Sequence, residues 1–162
     1  MSDRNLEKQS YAENPLFKWP QHAGVPETVL NTVALTLSRY MPLRMKNKLL
    51  RVLGIKIGEN TAVGLDVQFD IFHPENISIG KNSTIGYGTT ILTHETTQDE
   101  FREGDVKIGD NVLIGANTTV LPGVEIGDNA TVSAHSLVNR DVPQGKKYGG
   151  VPVEELGKTR EE

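Results

Sequence analysis

Cysteine is absent from the 162 residues, which excludes a disulfide framework, a thiolate metal site and a cysteine nucleophile. Aromatic residues make up only 6%, in keeping with a narrow core built from small aliphatics. No apolar run reaches the length of about 18 residues that a membrane-spanning helix needs. The opening MSDRNLEKQS is polar and shows no secretory h-region. There is no basic excess either: 17 Lys+Arg face 21 Asp+Glu, for a net charge of -4, so no nucleic-acid partner is expected. These absences leave a soluble, cytoplasmic chain of one domain's length, with no membrane contact expected. Glycine, by contrast, is plentiful at 16 residues, which suits repeated tight turns.

Those glycines belong to an internal repeat. The pattern Ile-Gly-x-Asn begins at Ile57, Ile79, Ile108 and Ile126, with spacings of 22, 29 and 18. The spacings reduce to an 18-residue unit with insertions of four and eleven residues. Each unit divides into sixes, marked by Ile57, Val63, Phe69, Ile79, Ile85, Ile91, Ile108, Ile114, Val120, Ile126, Val132 and Val138. With a quarter of the chain aliphatic, six such residues in register arise by chance roughly once in 4,000 starts. A period of six fits neither a helix nor one long strand. It fits a short strand and a turn, three of which close a triangular coil. Successive coils then stack at about the 4.8 Å sheet spacing. The fold class expected is therefore an all-β solenoid, a parallel β-helix, preceded by a helical segment. The boundaries read as a polar arm at 1–23, helices at 24–53, the coil at 54–152, and a short C-terminal helix or tail at 153–162. Val29, Leu30, Val33, Leu37 and Tyr40 lie at helical spacing, Pro42 breaks the pattern, and Leu43, Leu49, Leu50 and Leu53 resume it. Residues 39–56 carry six basic groups and no acid. That run would suit a membrane surface, but the reading taken is a helix capping the open end of the coil, with its charges solvated.

The hexapeptide rhythm from Ile57 to Val138, the segments Ile85–His94 and Ile114–Gly123, and the close Gly149-Gly150-Val151-Pro152 resemble the left-handed β-helix acyltransferases. Within them the chain is similar to the maltose and galactoside O-acetyltransferase branch, from which it departs in its N-terminal region. The resemblance implies a left-handed coil, a homotrimer with active sites between subunits, acetyl-CoA as acyl donor, and no metal. The acceptor implied is a small molecule carrying a hydroxyl, such as a sugar.

The two insertions follow the third strand of adjacent coils, so register places both on one edge of the prism, where loops on a rigid scaffold carry binding chemistry. The shorter holds Asp70 and His73, and His94 stands immediately before the longer. Acyl transfer to a hydroxyl needs a base, oxyanion donors and aligned substrates. His94 matches the family's catalytic histidine in the motif Ile-Leu-x-His, and is expected to be the general base of a direct transfer. Asp70, His73 and Glu95 are candidates for the acceptor side, Asp70 also for orienting the base. His22 and His135 are read as having no catalytic role. Gly115-Ala116 and Ser133-Ala134 lie 18 residues apart, so they stack and leave a groove for an extended pantetheine arm. The resemblance adds Arg140, Gly149, Gly150 and Pro152 toward the nucleotide of the coenzyme. Two other readings stay open. One is a metalloenzyme like γ-class carbonic anhydrase, although His73, His94 and His135 include no close pair of ligands. The other is a non-catalytic assembly subunit.

Overall fold

The computed structural model describes residues 4–157. The chain visits three parallel sheets in turn. The first face stacks Lys56–Ile57, Ile77–Ile79, Val106–Ile108 and Glu125–Ile126. The second stacks Ala62–Val63, Thr84–Ile85, Leu113–Ile114, Thr131–Val132 and Lys147–Gly149. The third stacks Gln68–Phe69, Thr90–Ile91, Thr119–Val120 and Leu137–Val138. Register follows the repeat, so that Val63, Ile85, Ile114 and Val132 are direct neighbours up one face. All twelve repeat positions point inward and none is more than 8% exposed. Each coil hydrogen-bonds to the next, for example Gly86 N–H to the Ile114 carbonyl and Gly115 N–H to that of Val132, both at 2.8 Å, so stacking satisfies the backbone polar groups.

The corners explain the turn residues. Asn60, Asn82, Asn111 and Asn129 form one column with positive φ, and Asp66, Gly88, Asn117 and His135 form a second. These are residues that tolerate the left-handed region. His135, at φ 56°, is thus a turn residue of the coil. Gly115 is small because the next coil passes close by, and a Cβ there would overlap the backbone nitrogen of Ala134.

Two helices, α1 (Val25–Ser38) and α2 (Leu43–Val52), precede the first coil. They meet it differently from the expectation. Thr28, Asn31, Ala34, Leu35 and Ser38 are the buried side of α1, while Val29, Leu30, Val33, Leu37 and Tyr40 are exposed. Small side chains let the helix lie close against the coil, and the larger apolar stripe is left facing outward. Nor are all the basic charges solvated. Lys46 is buried, its ammonium donating to the carbonyls of Gly64 at 2.6 Å and Arg39 at 3.3 Å. Arg39 itself pairs with Asp66 at 2.8 Å. These contacts fasten the helices to the coil through paired groups, as buried charge requires.

The chain ends also differ from the expectation. The arm is folded: Glu7–Ser10 is a strand, and a short 3₁₀ helix runs through Pro15–Gln21. In place of a C-terminal helix or tail, Glu154–Glu155 pairs antiparallel with Tyr148 and Gly149, and Val153 is buried in the core. Residues 1–3 and 158–162 lie outside the described residues.

Ile114 is fully buried in mid-coil, whereas its neighbour Leu113 is 48% exposed. Ile114→Ala is expected to cost about 2–5 kcal/mol and Leu113→Ala about 0.5 kcal/mol or less. The shift in urea midpoint of the two variants measures the difference.

Candidate active site

Asp70 and His94 lie 24 residues apart in sequence and one coil apart in space. Phe69 pairs with Ile91, so the residues leaving those strands enter the same corner on adjacent coils. There the buried Asp70 side chain accepts a hydrogen bond from His94 Nδ1 at 2.6 Å. Its Oδ2 also accepts from the backbone N–H of Thr93 at 2.9 Å and of His94 at 3.1 Å. Its Oδ1 accepts from Phe72 N–H at 2.8 Å and His73 N–H at 3.5 Å. Burial alone would raise the Asp70 pKa. The hydrogen bond and charge of His94, with the N–H groups of Thr93 and Phe72, outweigh it and hold the carboxyl below its ordinary value.

This environment fixes the imidazole. An ionised carboxylate only accepts, so His94 Nδ1 must carry a proton, and the neutral ring must leave Nε2 bare. Nε2 has no hydrogen-bond partner among the described residues, and the side chain is 19% exposed. The ring is flanked by Phe72 at 4.5 Å and Phe101 at 5.6 Å between centroids. Phe72 belongs to the first insertion. Phe101 belongs to the second, which forms a hairpin of His94–Thr96 and Glu100–Glu103.

His73 is held elsewhere. Its Nδ1 meets Glu75 and its Nε2 meets the carbonyl of His22, each at 3.0 Å. Burial lowers its pKa, but Glu75, Glu103 and the His22 carbonyl raise it above the usual value overall. With a partner at each nitrogen, His73 brackets the arm to the coil. Glu95 is likewise engaged, with Arg4 at 2.9 Å and Arg102 at 3.0 Å. Burial raises its pKa, yet these guanidiniums keep it low. Both groups already have partners within the chain. A groove lined by His22, Glu27, Leu30, Asn31, Val52 and His73 touches Phe72 without including His94.

Register brings the small residues together. Ile114, Val132 and Tyr148 are successive neighbours, so Gly115-Ala116, Ser133-Ala134 and Gly149-Gly150 follow one another up a single corner. Gly149 abuts the Ser133 side chain. Pro152 is exposed just beyond. Arg140 is not in that column. It follows Leu137–Val138 on the third face, and so occupies the corner that carries His94, two coils further on. Residues that the sequence reading left out are Arg4, Tyr11, Trp19, Phe101 and Arg102. His22, read there as idle, stacks on Phe101 at 3.9 Å. No group of three or more His, Cys, Asp or Glu residues among those described is placed to hold a metal ion.

The repeat is matched by two family profiles, "Bacterial transferase hexapeptide (six repeats)" over residues 105–140 and "Hexapeptide repeat of succinyl-transferase" over 54–92. A candidate acetyltransferase of Bacillus subtilis (strain 168), YvoF, is 49% identical over 139 residues, 83% of this chain and 81% of that protein. The chain belongs to the hexapeptide-repeat acyltransferase family. Solved structures share the fold. A hexapeptide-repeat acetyltransferase of Vibrio cholerae O1 biovar eltor, complexed with acetyl coenzyme A, superposes with a TM-score of 0.70 at 24% identity, covering 84% of this chain and 88% of that one. A maltose O-acetyltransferase of Clostridium difficile 630 gives 0.66 at 23% identity, covering 85% and 88%. In this family member no described helix is long and apolar enough to cross a membrane.

The folded-state pKa of Asp70 lies below its ordinary value. Its contribution to stability is therefore complete above an unfolded pKa of about 3.9 and is lost as pH falls through the lower folded value. Asp70→Asn turns an amide N–H₂ toward backbone donors, and is expected to cost about 1.5–3 kcal/mol at pH 7. It should also flatten the acid limb of stability against pH, as followed by urea denaturation between pH 2 and 7.

Proposed function

We propose that this chain is an O-acetyltransferase that moves the acetyl group of acetyl-CoA to a hydroxyl of a sugar or similar polyol, with His94 as general base. One observation carries the reading. A buried, acceptor-only Asp70 holds Nδ1–H of His94 at 2.6 Å, so the bare Nε2 is left to receive a proton. The acceptor hydroxyl gives its proton to Nε2 as its oxygen attacks the thioester carbonyl. The tetrahedral intermediate collapses with loss of the coenzyme thiolate, which takes the proton back from the imidazolium. Asp70 stabilises that imidazolium in between, without itself becoming protonated. A backbone N–H of a facing coil supplies the oxyanion contact.

Acetyl-CoA as donor is supported by the acetyltransferase relatives and by the Vibrio cholerae neighbour solved with that molecule. Its pantetheine arm is assigned to the small-residue corner of Gly115, Ala116, Ser133, Ala134, Gly149 and Gly150, with Pro152 beyond. Arg140, exposed on the His94 corner, is the candidate for a charge-assisted contact with phosphate. The coil takes the left hand that the family implies. The active enzyme is proposed to be a cytoplasmic homotrimer. Two features support assembly: the uncovered apolar stripe of α1, and a His94 that is not enclosed by the groove beside Phe72. A neighbouring copy would bring its small-residue corner against the corner that carries His94, supplying the thioester, the missing wall and an acceptor subsite, beside which Glu95 and His73 act as supports.

Thiol release from acetyl-CoA, measured across sugars, amines and antibiotics, tests the reading. At least one hydroxyl acceptor is expected to turn over. His94→Ala should lower kcat by about 10²–10⁴-fold and leave acetyl-CoA affinity within about twofold, since nothing here assigns the imidazole to binding the donor. Equal rates for wild type and His94→Ala would remove the base assignment. Failure to bind acetyl-CoA at all would remove the enzyme.

A further inference from the structure

The N-terminal arm is bound to the site by more than proximity. Its strand Glu7–Ser10 pairs antiparallel with Glu100–Glu103, whose other neighbour is His94–Thr96, and one register line runs Glu7, Glu103, His94. The arm is fastened at both ends of that strand, by Asn5 N–H to the Gly123 carbonyl at 3.1 Å and by Tyr11 N–H to that of Asp99 at 2.7 Å. Further along, the His22 carbonyl meets His73 Nε2 at 3.0 Å. Ala23, Phe72 and Phe101, with Tyr11, Trp19 and Ile71 around them, form a small apolar core separate from that of the coil.

Through this core runs a stack of five rings in the order Trp19, Phe72, His94, Phe101, His22. The centroid steps are 5.8, 4.5, 5.6 and 3.9 Å, and the successive planes are tilted by 10, 27, 11 and 6°. His94 is the middle ring, and both outermost rings come from the arm. The bond to Asp70 fixes one atom of the imidazole but leaves the ring free to twist about it. The two stacked neighbours, Phe72 and Phe101, restrict that freedom, and they do so only if they are themselves backed. His22 backs Phe101 with the face of its ring. Its Nε2 is buried with no hydrogen-bond partner, and burial lowers its pKa more than Glu103 raises it, so it sits there as a neutral plate.

We propose that Trp19 and His22 are positioning residues for His94, and that the arm is therefore a working part of the active site, supplied by the same chain. They act through Phe72 and Phe101, which hold the plane of the imidazole so that Nε2 keeps its aim. The role of that aim rests on the reading of His94 as base. The positioning itself does not, because it can be seen in the ring.

The test uses the full chain with His22→Ala, His22→Phe and Trp19→Leu, and two readouts. The first is the long-range ¹H–¹⁵N NMR spectrum of the histidine rings. Wild type should show His94 as a single Nδ1–H tautomer. His22→Ala and Trp19→Leu should broaden or average that signal, and His22→Phe, which keeps a flat face and removes the unpartnered nitrogen, should restore it. The second is kcat against KM. Loss of aim by a fraction of an ångström should lower kcat by about tenfold or more with KM for acetyl-CoA within about twofold, and His22→Phe should recover most of the rate. An unchanged His94 signal and kcat in His22→Ala and Trp19→Leu would overturn the proposal. So would a His22→Phe variant as impaired as His22→Ala, because His22 would then act through its nitrogens. If wild type has no transferase activity, the base assignment fails, while the NMR outcome still decides the positioning.

Discussion

The candidate active site depends on a carboxylate that has nothing to donate. Asp70 is buried at a coil corner and accepts from four backbone N–H groups as well as from the ring of His94. Burial would ordinarily favour the neutral acid, but an acid proton has no place among that many donors, so the group stays ionised. The same crowding decides which nitrogen of His94 is protonated and which is bare. The tautomer of His94 and the position of its Nδ1 therefore trace to one side chain held by backbone that the coil itself positions.

The coil can position it because its register is over-determined. Every third-face strand lies in direct register with those above and below. A slip of one residue would turn the inward column out to solvent. Insertions are tolerated only between strands, and the two that occur leave from the same corner on neighbouring coils. A rigid stack thus carries two irregular loops side by side, and residues 24 positions apart meet at 2.6 Å. The helices use the same platform with different chemistry. They approach through mostly small side chains, one leucine from each helix (Leu35 and Leu50) and a buried lysine, and leave the stripe of Val29, Leu30, Val33 and Leu37 outward.

Much of this was legible beforehand. The period of six identified the inward column residue by residue, because a hydrophobic repeat is a direct image of a packed face. The offsets of 22 and 29 located the insertions, and register alone placed Asp70 and His94 on one edge. The arm was not legible. Residues 1–23 are polar and carry no periodicity, and the order of residues 4–23 rests on the pairing of Glu7–Ser10 with the distant strand Glu100–Glu103, which local pattern does not encode. A signal was nevertheless present. In a chain with 6% aromatics, Tyr11, Phe17 and Trp19 fall in the arm and Phe72 and Phe101 in the insertions, while the inward column of the coil takes Phe69 alone. The facing of α1 was not legible for a related reason. Periodicity finds the apolar stripe, but does not say whether that stripe meets the chain's own coil or faces outward, and here Ala34 and Ser38 lie inward while Val33 and Leu37 do not.

On the proposed reading, the bare nitrogen of His94 faces the reacting thioester. A crystal structure of the chain with coenzyme A and a hydroxyl acceptor addresses it directly. The acceptor oxygen is expected at about 3–3.5 Å from Nε2, with the sulfur on the same side and Nδ1 still on Asp70. A thiol lying at a corner other than the one that carries His94, out of reach of Nε2 from any copy in the assembly, would contradict it.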